Sequence, residues 1–200
     1  MDIKLFFTVF IAFLVLVNPL QKIFVVITLQ NNYTGNELRK IINWSNLTAL
    51  GVLVLFLFLG ERILTTVFNL KLYAFQVTCG VVLLYNGFMG LQKGAFLAVD
   101  RNSRIEDVIA VPIAIPMIAG PATITAVVLM PSMYGKTITV AAVTLAIGIN
   151  FLIMRNAIPI AKWLTRFNAL MPMIRVTGLI IAAIGMQMVF NGITAYISLR

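Results

Sequence analysis

The sequence predicts an all-α integral membrane protein: six transmembrane helices in a 3+3 inverted repeat, with helices 1 and 4 discontinuous at Pro19 and Pro121. Three observations lead there. Of 200 residues, 61% are hydrophobic and only 10% charged, with a mean hydropathy of +1.02; a soluble domain carries about 25% charged and 45–50% apolar residues. Apolar stretches long enough to cross a bilayer recur six times. Two pairs of these stretches share motifs at nearly the same offset.

A membrane helix needs about 20 predominantly apolar residues. The first candidate, Leu5–Leu29, begins within a few residues of Met1 and has no small-residue cleavage pattern, so it reads as a retained span. The second, Ile41–Leu59, follows Thr34-Gly-Asn-Glu37, a capping box with Thr34 as N-cap and Glu37 reaching back. The others are Leu72–Leu91, Val108–Met130, Ile138–Met154 and Ile174–Ile197, separated by short polar segments such as Asn69–Lys71, Asp100–Asp107 and Lys162–Phe167. No loop is long enough for another domain. The chain is one transmembrane domain over 1–200, with repeat 1 at about 1–92 and repeat 2 at about 105–200.

The formal net charge is +9. The basic residues sit mostly between apolar runs, where cytoplasmic loops collect them, without the aromatic-basic interleaving of a nucleic-acid surface. Lys4, Arg62, Lys71, Lys136 and Arg200 fall on one side, and Arg39, Lys40, Lys93, Arg101, Arg104, Arg155, Lys162, Arg166 and Arg175 on the other. The richer side is expected in the cytoplasm, with both termini outside the cell membrane. Cys79 is the only cysteine and there is no histidine, which excludes a disulfide framework and a Cys/His metal site. Asp2, Glu37, Glu61, Asp100, Glu106 and Asp107 all lie at span ends or in loops. A buried carboxylate relay, a phosphate-binding loop and paired catalytic acids are therefore lacking, and an enzyme is not expected.

The third span contains "GVVLLYNG" (Gly80–Gly87) and the sixth "GMQMVFNG" (Gly185–Gly192), 105 residues apart. The first span breaks at Asn18-Pro19 and the fourth at Gly120-Pro121, 102 residues apart. A repeat unit of three spans is odd, so the second copy enters the membrane from the opposite side. Such repeats build secondary transporters whose sites lie near the midplane between discontinuous helices.

A mid-helix proline removes a backbone donor, and free backbone groups in hydrocarbon are tolerated only against protein or a cavity. Each break offers N–H groups on the half-helix after the proline and carbonyls on the one before it. The former suit a carboxylate and the latter an ammonium or sodium ion, so a small zwitterion matches both. The candidate substrate-binding residues are Asn18, Pro19, Gln21 and Lys22 at the first break and Gly120, Pro121, Ala122 and Thr123 at the second. Gln76, Asn86, Gln187 and Asn191 on the third and sixth spans complete the set, with interhelical bonding as their alternative role. Asn150 and the Asn43–Thr48 group carry a weaker signal. Lys22 has two readings: its stem carries the charge to the interface, or it faces the cavity, where it pairs with a substrate carboxylate or loses its proton by desolvation. No cofactor is implied; coupling to a sodium ion or a proton is open, as is homo-oligomer formation.

At these residues the chain resembles the MarC family of bacterial and archaeal inner-membrane proteins, over essentially its whole length. "VPIAIPMIAGPATIT" (Val111–Thr125) is similar to the family's Pro-rich run into Ala-Gly-Pro-Gly-Ala-Ile-Thr, and "NPL" (Asn18–Leu20) to its Asn/Asp-Pro-Leu-Gly-Asn. "LYAFQVTCG" (Leu72–Gly80) and "RVTGLIIAAIGMQMVFNGI" (Arg175–Ile193) resemble its third and sixth spans. The resemblance implies transport of small neutral amino acids such as glycine and alanine. The chain departs from the family at Gln21-Lys22, where Gly-Asn is usual, and at Ala122-Thr123, where Gly-Ala is usual. Asn191 stands for a frequent Asp and Gln76 for a frequent Arg. Because the departures cluster at the site, a non-transporting scaffold or regulatory component is the alternative expectation.

Overall fold

The computed structural model describes residues 2–93 and 105–198. Among these the chain forms nine α-helices, two π-helical stretches and no strand. Asp2 caps α1 (Ile3–Val17), its carboxylate accepting from the Lys4 N–H at 3.0 Å. α2 (Pro19–Gln30) starts immediately after Asn18. α3 (Gly35–Arg62) opens on the capping box, with the Glu37 carboxylate accepting from both the N–H and the hydroxyl of Thr34 at 2.8 Å, and runs into a π-helical turn at Ile63–Val67. α4 (Leu72–Lys93) closes the first half.

The second half is less regular. A single turn, α5 (Ile105–Val108), leads into a π-helical stretch, Ile109–Ile118, that contains Pro112 and Pro116. Neither proline has an N–H for the α-helical ladder. The backbone takes wider bonds there, as Ala119 N–H to the Ala114 carbonyl at 2.9 Å shows. α6 (Pro121–Tyr134), α7 (Lys136–Arg155), α8 (Ala157–Arg166) and α9 (Leu170–Ile197) follow. α8, read from the sequence only as an interface, is a short amphipathic helix. It buries Ala157, Ala161 and Leu164 and exposes Lys162, Trp163, Arg166 and Phe167.

Five helical segments are long and apolar enough to cross a membrane: Ile3–Gln30, Gly35–Gly60, Leu72–Gln92, Lys136–Arg155 and Met171–Ile197. The predicted fourth span, Val108–Met130, is not among them. It is divided between the π-helical stretch and α6, whose 14 residues rise only about 21 Å at 1.5 Å each, short of the roughly 30 Å of hydrocarbon. Ile11, Phe58, Phe88 and Phe190 are each more than half exposed, which suits lipid rather than water. Arg101, Arg104 and Arg200, used above for orientation, and the loop carboxylate Asp100 lie outside the described residues.

α4 and α9 form the most extensive helix pair in the molecule, and glycine makes it possible. A Cβ placed on Gly80 would lie 2.6 Å from the Gly185 carbonyl oxygen, and one on Gly185 would lie 2.6 Å from that of Gly80. A Cβ on Gly87 would collide with the backbone of Ala182, and one on Gly192 would lie 2.5 Å from the Val77 side chain. Gly178 meets Leu91 and Gly192 meets Tyr73, so the two helices run antiparallel. The contacts come in matched sets. Gly80 and Gly185, Gly87 and Gly192, and Val77 and Ala182 are all 105 residues apart, so the Gly87–Ala182 contact recurs as Gly192–Val77.

Lipid tails are as apolar as leucine, so such a pair is held by close packing rather than by expulsion of water. Gly185→Ala is therefore expected to lower stability by about 1–3 kcal/mol, the usual cost of overpacking. Gly51→Ala and Gly148→Ala, where a Cβ meets nothing within 4 Å, should be neutral or stabilising. Thermal unfolding of the detergent-purified variants checks this; equal loss at all three positions would contradict the seam.

Candidate functional site

The first break is built by Asn18. Its backbone is left-handed, at φ 51° and ψ 70°, a conformation asparagine tolerates better than most residues. Its N–H closes α1 on the Leu14 carbonyl at 3.0 Å. Its side-chain oxygen accepts from the Gln21 N–H at 3.4 Å, a long and weak cap. Pro19 occupies the first position of α2, where a missing N–H costs nothing. In a continuous helix that missing N–H would have served the Val15 carbonyl.

Lys22 takes neither of the roles read from the sequence. It is only 2% exposed, so it does not reach the interface. Nor does it line the cavity at the break. Its Nζ donates to the Val17 carbonyl at 2.7 Å, the last carbonyl of α1. The left-handed turn at Asn18 swings α2 so that a side chain five residues on returns over the end it has just left.

The second break is closed in the same way by a different group. Gly120 is extended, at φ −80° and ψ 170°, and Pro121 opens α6. The Thr123 hydroxyl donates to the Ile118 carbonyl at 3.1 Å, again five residues back. Thr125 bonds the Pro121 carbonyl at 2.9 Å and lies within reach of the Cys79 thiol. Gly120, Ala122 and Thr123 are buried and Pro121 is half-buried. One break is thus closed by a lysine Nζ where the other is closed by a hydroxyl.

A cavity of about 340 Å³ lies beside the first break, between Asn18, Pro19 and Leu20, Ile149 and Ile153 of α7, and Thr177 of α9. Of the twelve residues proposed from the sequence, only Asn18 and Pro19 line it. Gln187 and Asn191 are exposed and bond each other at 2.8 Å along α9, and Gln76 and Asn86 are half-buried on α4; none of the four lines this cavity. Two further recesses, of about 190 and 350 Å³, sit at opposite ends of α3. One carries Arg39, Asn43 and Arg155; the other carries Arg62, Ser132 and Lys136.

The pair Asn46 and Asn150, rated weak above, is the polar centre between α3 and α7. The Asn150 amide nitrogen donates to the Asn46 amide oxygen at 2.7 Å, and Asn46 donates in turn to the Ile42 carbonyl at 2.8 Å. Both side chains are buried, and the Asn150 amide oxygen has no partner among the described residues. The two residues stand 104 apart. The repeat offset was the signal that would have raised them.

The model of the MarC family integral membrane proteins matches residues 3–197. The chain belongs to the MarC family. A UPF0056 membrane protein of Pyrococcus horikoshii is 33% identical over 179 residues, covering 90% of this chain and 88% of the relative. Another, from Methanocaldococcus jannaschii, is 29% identical over 96% of this chain and 98% of its own length. The UPF0056 membrane protein YhcE of Escherichia coli K12 is 26% identical over 96% and 93%. These names speak of a membrane protein and of no solute. No solved structure matches this MarC protein.

A double-mutant cycle on Asn46→Ala and Asn150→Ala should give a coupling of about 0.6 kcal/mol, the average for such bonds between membrane helices, and no more than about 1.7. Additive losses would mean that the two amides do not act as one unit.

Proposed function

We propose that this MarC protein is a secondary transporter of small neutral amino acids such as glycine or alanine, built as six spans in a 3+3 inverted repeat. The observation that carries the reading is the pair of broken helices: a proline-initiated half-helix in each half, 102 residues apart, each with a side chain folded back over the carbonyl end before it. The mutual approach of Gly80 and Gly185 and the bond between Asn46 and Asn150 support the inverted repeat. Residues equivalent by the repeat offset meet each other, as residues beside a two-fold axis in the membrane plane must. In this reading the π-helical stretch and α6 together make the fourth span.

The N–H groups opening α2 and α6 would receive the solute's carboxylate, and the cavity beside Asn18 and Pro19 is where the solute begins to enter. The recesses at Arg39 and Arg155 and at Arg62 and Lys136 would be the vestibules on the two faces. The solute, the bilayer and a sodium ion or proton are the implied partners; the site lies in the inner membrane, with both termini outside and no chemistry performed on the solute. A second reading, a non-transporting membrane component on the same fold, is favoured by one observation: the carbonyl end of α1 is already occupied by Lys22.

Uptake of labelled alanine and glycine into proteoliposomes tests the reading. Saturable uptake above empty liposomes is expected, with a drop of about tenfold or more on Pro19→Ala, since a misplaced binding group costs on the order of 10²-fold in related settings. Uptake that never exceeds the empty-liposome level would favour the second reading. Topology is tested separately: reporters fused at Arg200 and within the loop Lys93–Asp107 should report opposite sides, and the same side from both would rule out six spans.

A further inference from the structure

We propose that α9 carries the interface of a homodimer: the face turned away from the glycine seam packs against the same face of a second copy, joined through Gln187 and Asn191. The inference does not depend on what the protein carries.

The seam occupies one side of α9, where Gly178, Gly185 and Gly192 meet α4. Gln187, two residues past Gly185, is turned about 200° from it at 100° per residue. It is exposed, as is Asn191 one turn on. Both lie inside the apolar span Met171–Ile197. Gln187 stands about 18 Å along the helix from Arg175, at 1.5 Å per residue, which puts the pair at membrane depth.

The two amides satisfy only half of their own bonding capacity. The Gln187 amide nitrogen donates to the Asn191 amide oxygen at 2.8 Å. The Gln187 amide oxygen and the Asn191 amide nitrogen bond no described residue. In hydrocarbon such groups are costly until they find a partner. Their surroundings on this face are apolar: Ile180 is 45% exposed, Met186 38% and Phe190 57%. A water-filled passage would be lined with polar groups, whereas this face suits lipid or another apolar helix.

A second copy fits for two reasons. The unused groups are one acceptor and one donor, so identical copies complement each other, Asn191 of each donating to Gln187 of the other. Two copies inserted in the same sense are related by a two-fold axis along the membrane normal, which brings each residue to the depth of its own duplicate in an isologous interface. The spacing also fits. Val176, Ile180, Ala183, Gln187, Phe190 and Thr194 are all exposed and follow one another in alternating steps of four and three, the repeat of a left-handed helix pair. In such a seam one polar position among apolar ones fixes register and helix number.

Cysteine cross-linking in native membranes tests the proposal. Ala183→Cys in a Cys79→Ala background should give, on mild oxidation, a band at twice the 22.1 kDa of one chain. Adding Gln187→Leu and Asn191→Leu removes the amides and keeps the face apolar. At matched expression it should cut that band about fivefold or more, the loss expected for hydrogen bonds between membrane helices. Leu152→Cys, exposed on α7, should give no such band. Should Ala183→Cys not be recovered in the membrane, Val176→Cys on the same face reads the same contact. No band from either cysteine, a band that the two leucines leave unchanged, or equal cross-linking from Leu152→Cys would each overturn the proposal. So would a monomer whose uptake the two leucines abolish, which would assign the amides to the solute path.

Discussion

The structure turns on one constraint: in hydrocarbon, every backbone polar group freed by a break must find a partner inside the protein. At Asn18 and Pro19 the helix is broken, and the molecule answers with a local closure. Asn18 folds its own N–H back to Leu14, and Lys22 covers the Val17 carbonyl. At Gly120 and Pro121 the answer is Thr123 on Ile118. Because these donors come from the half-helix after the break, each break is also a clasp. The two half-helices cannot separate or rotate without exposing a carbonyl whose loss of a partner costs about 1–3 kcal/mol. This is what allows a broken span to persist in a membrane.

The clasps need a frame that does not yield, and α4 with α9 provides one. Gly80, Gly87, Gly178, Gly185 and Gly192 bring the backbones so close that a single added carbon would meet backbone or side-chain atoms below 3.0 Å. Spaced seven apart along each helix, they keep the seam on one side over several turns, because seven residues make nearly two turns. The larger side chains, such as Phe88 and Phe190, are left outside, facing lipid. Polar residues follow the same division. Asn46 and Asn150 bond between α3 and α7, whereas Gln187 and Asn191 bond each other on the exposed side of α9.

Much of this was legible in the sequence because it is written in composition and in glycine and proline. Five of the six predicted spans match long helices to within a few residues, and both prolines open half-helices as their missing N–H requires. The fourth span failed as a continuous helix because Pro112 and Pro116 widen the turn before Gly120, an effect that hydropathy does not register. α8 was read as an interface because its ten residues are too short to span and Lys162 and Arg166 dominate its polar face. The role of Lys22 was illegible for a geometric reason. In a helix, residues five apart do not bond side chain to backbone; Lys22 reaches Val17 only after a left-handed residue has turned the chain. The Asn46 and Asn150 pair was legible in principle, through the same offset that relates the glycines, but asparagines in membrane helices are common enough that spacing alone did not single them out.

The asymmetry between the two clasps is the feature that the symmetric frame leaves to be explained by chemistry. Burying an ammonium in a membrane span costs about 2.5–3.5 kcal/mol on insertion scales. A hydrogen bond to a charged group contributes about 1.5–3 kcal/mol, and the carbonyl end of α1 adds a favourable dipole of about 0.3–1 kcal/mol. The two sides nearly cancel, so Lys22 can stay buried with no carboxylate partner among the described residues, but only while the Val17 carbonyl is there to meet it. A hydroxyl at the same place would carry no such penalty, and Thr123 shows that it can close a break. The charge at the first break is therefore not demanded by the closure of the helix. What Lys22 adds is a long amine side chain at one break and not the other, donating to the carbonyl end that precedes it.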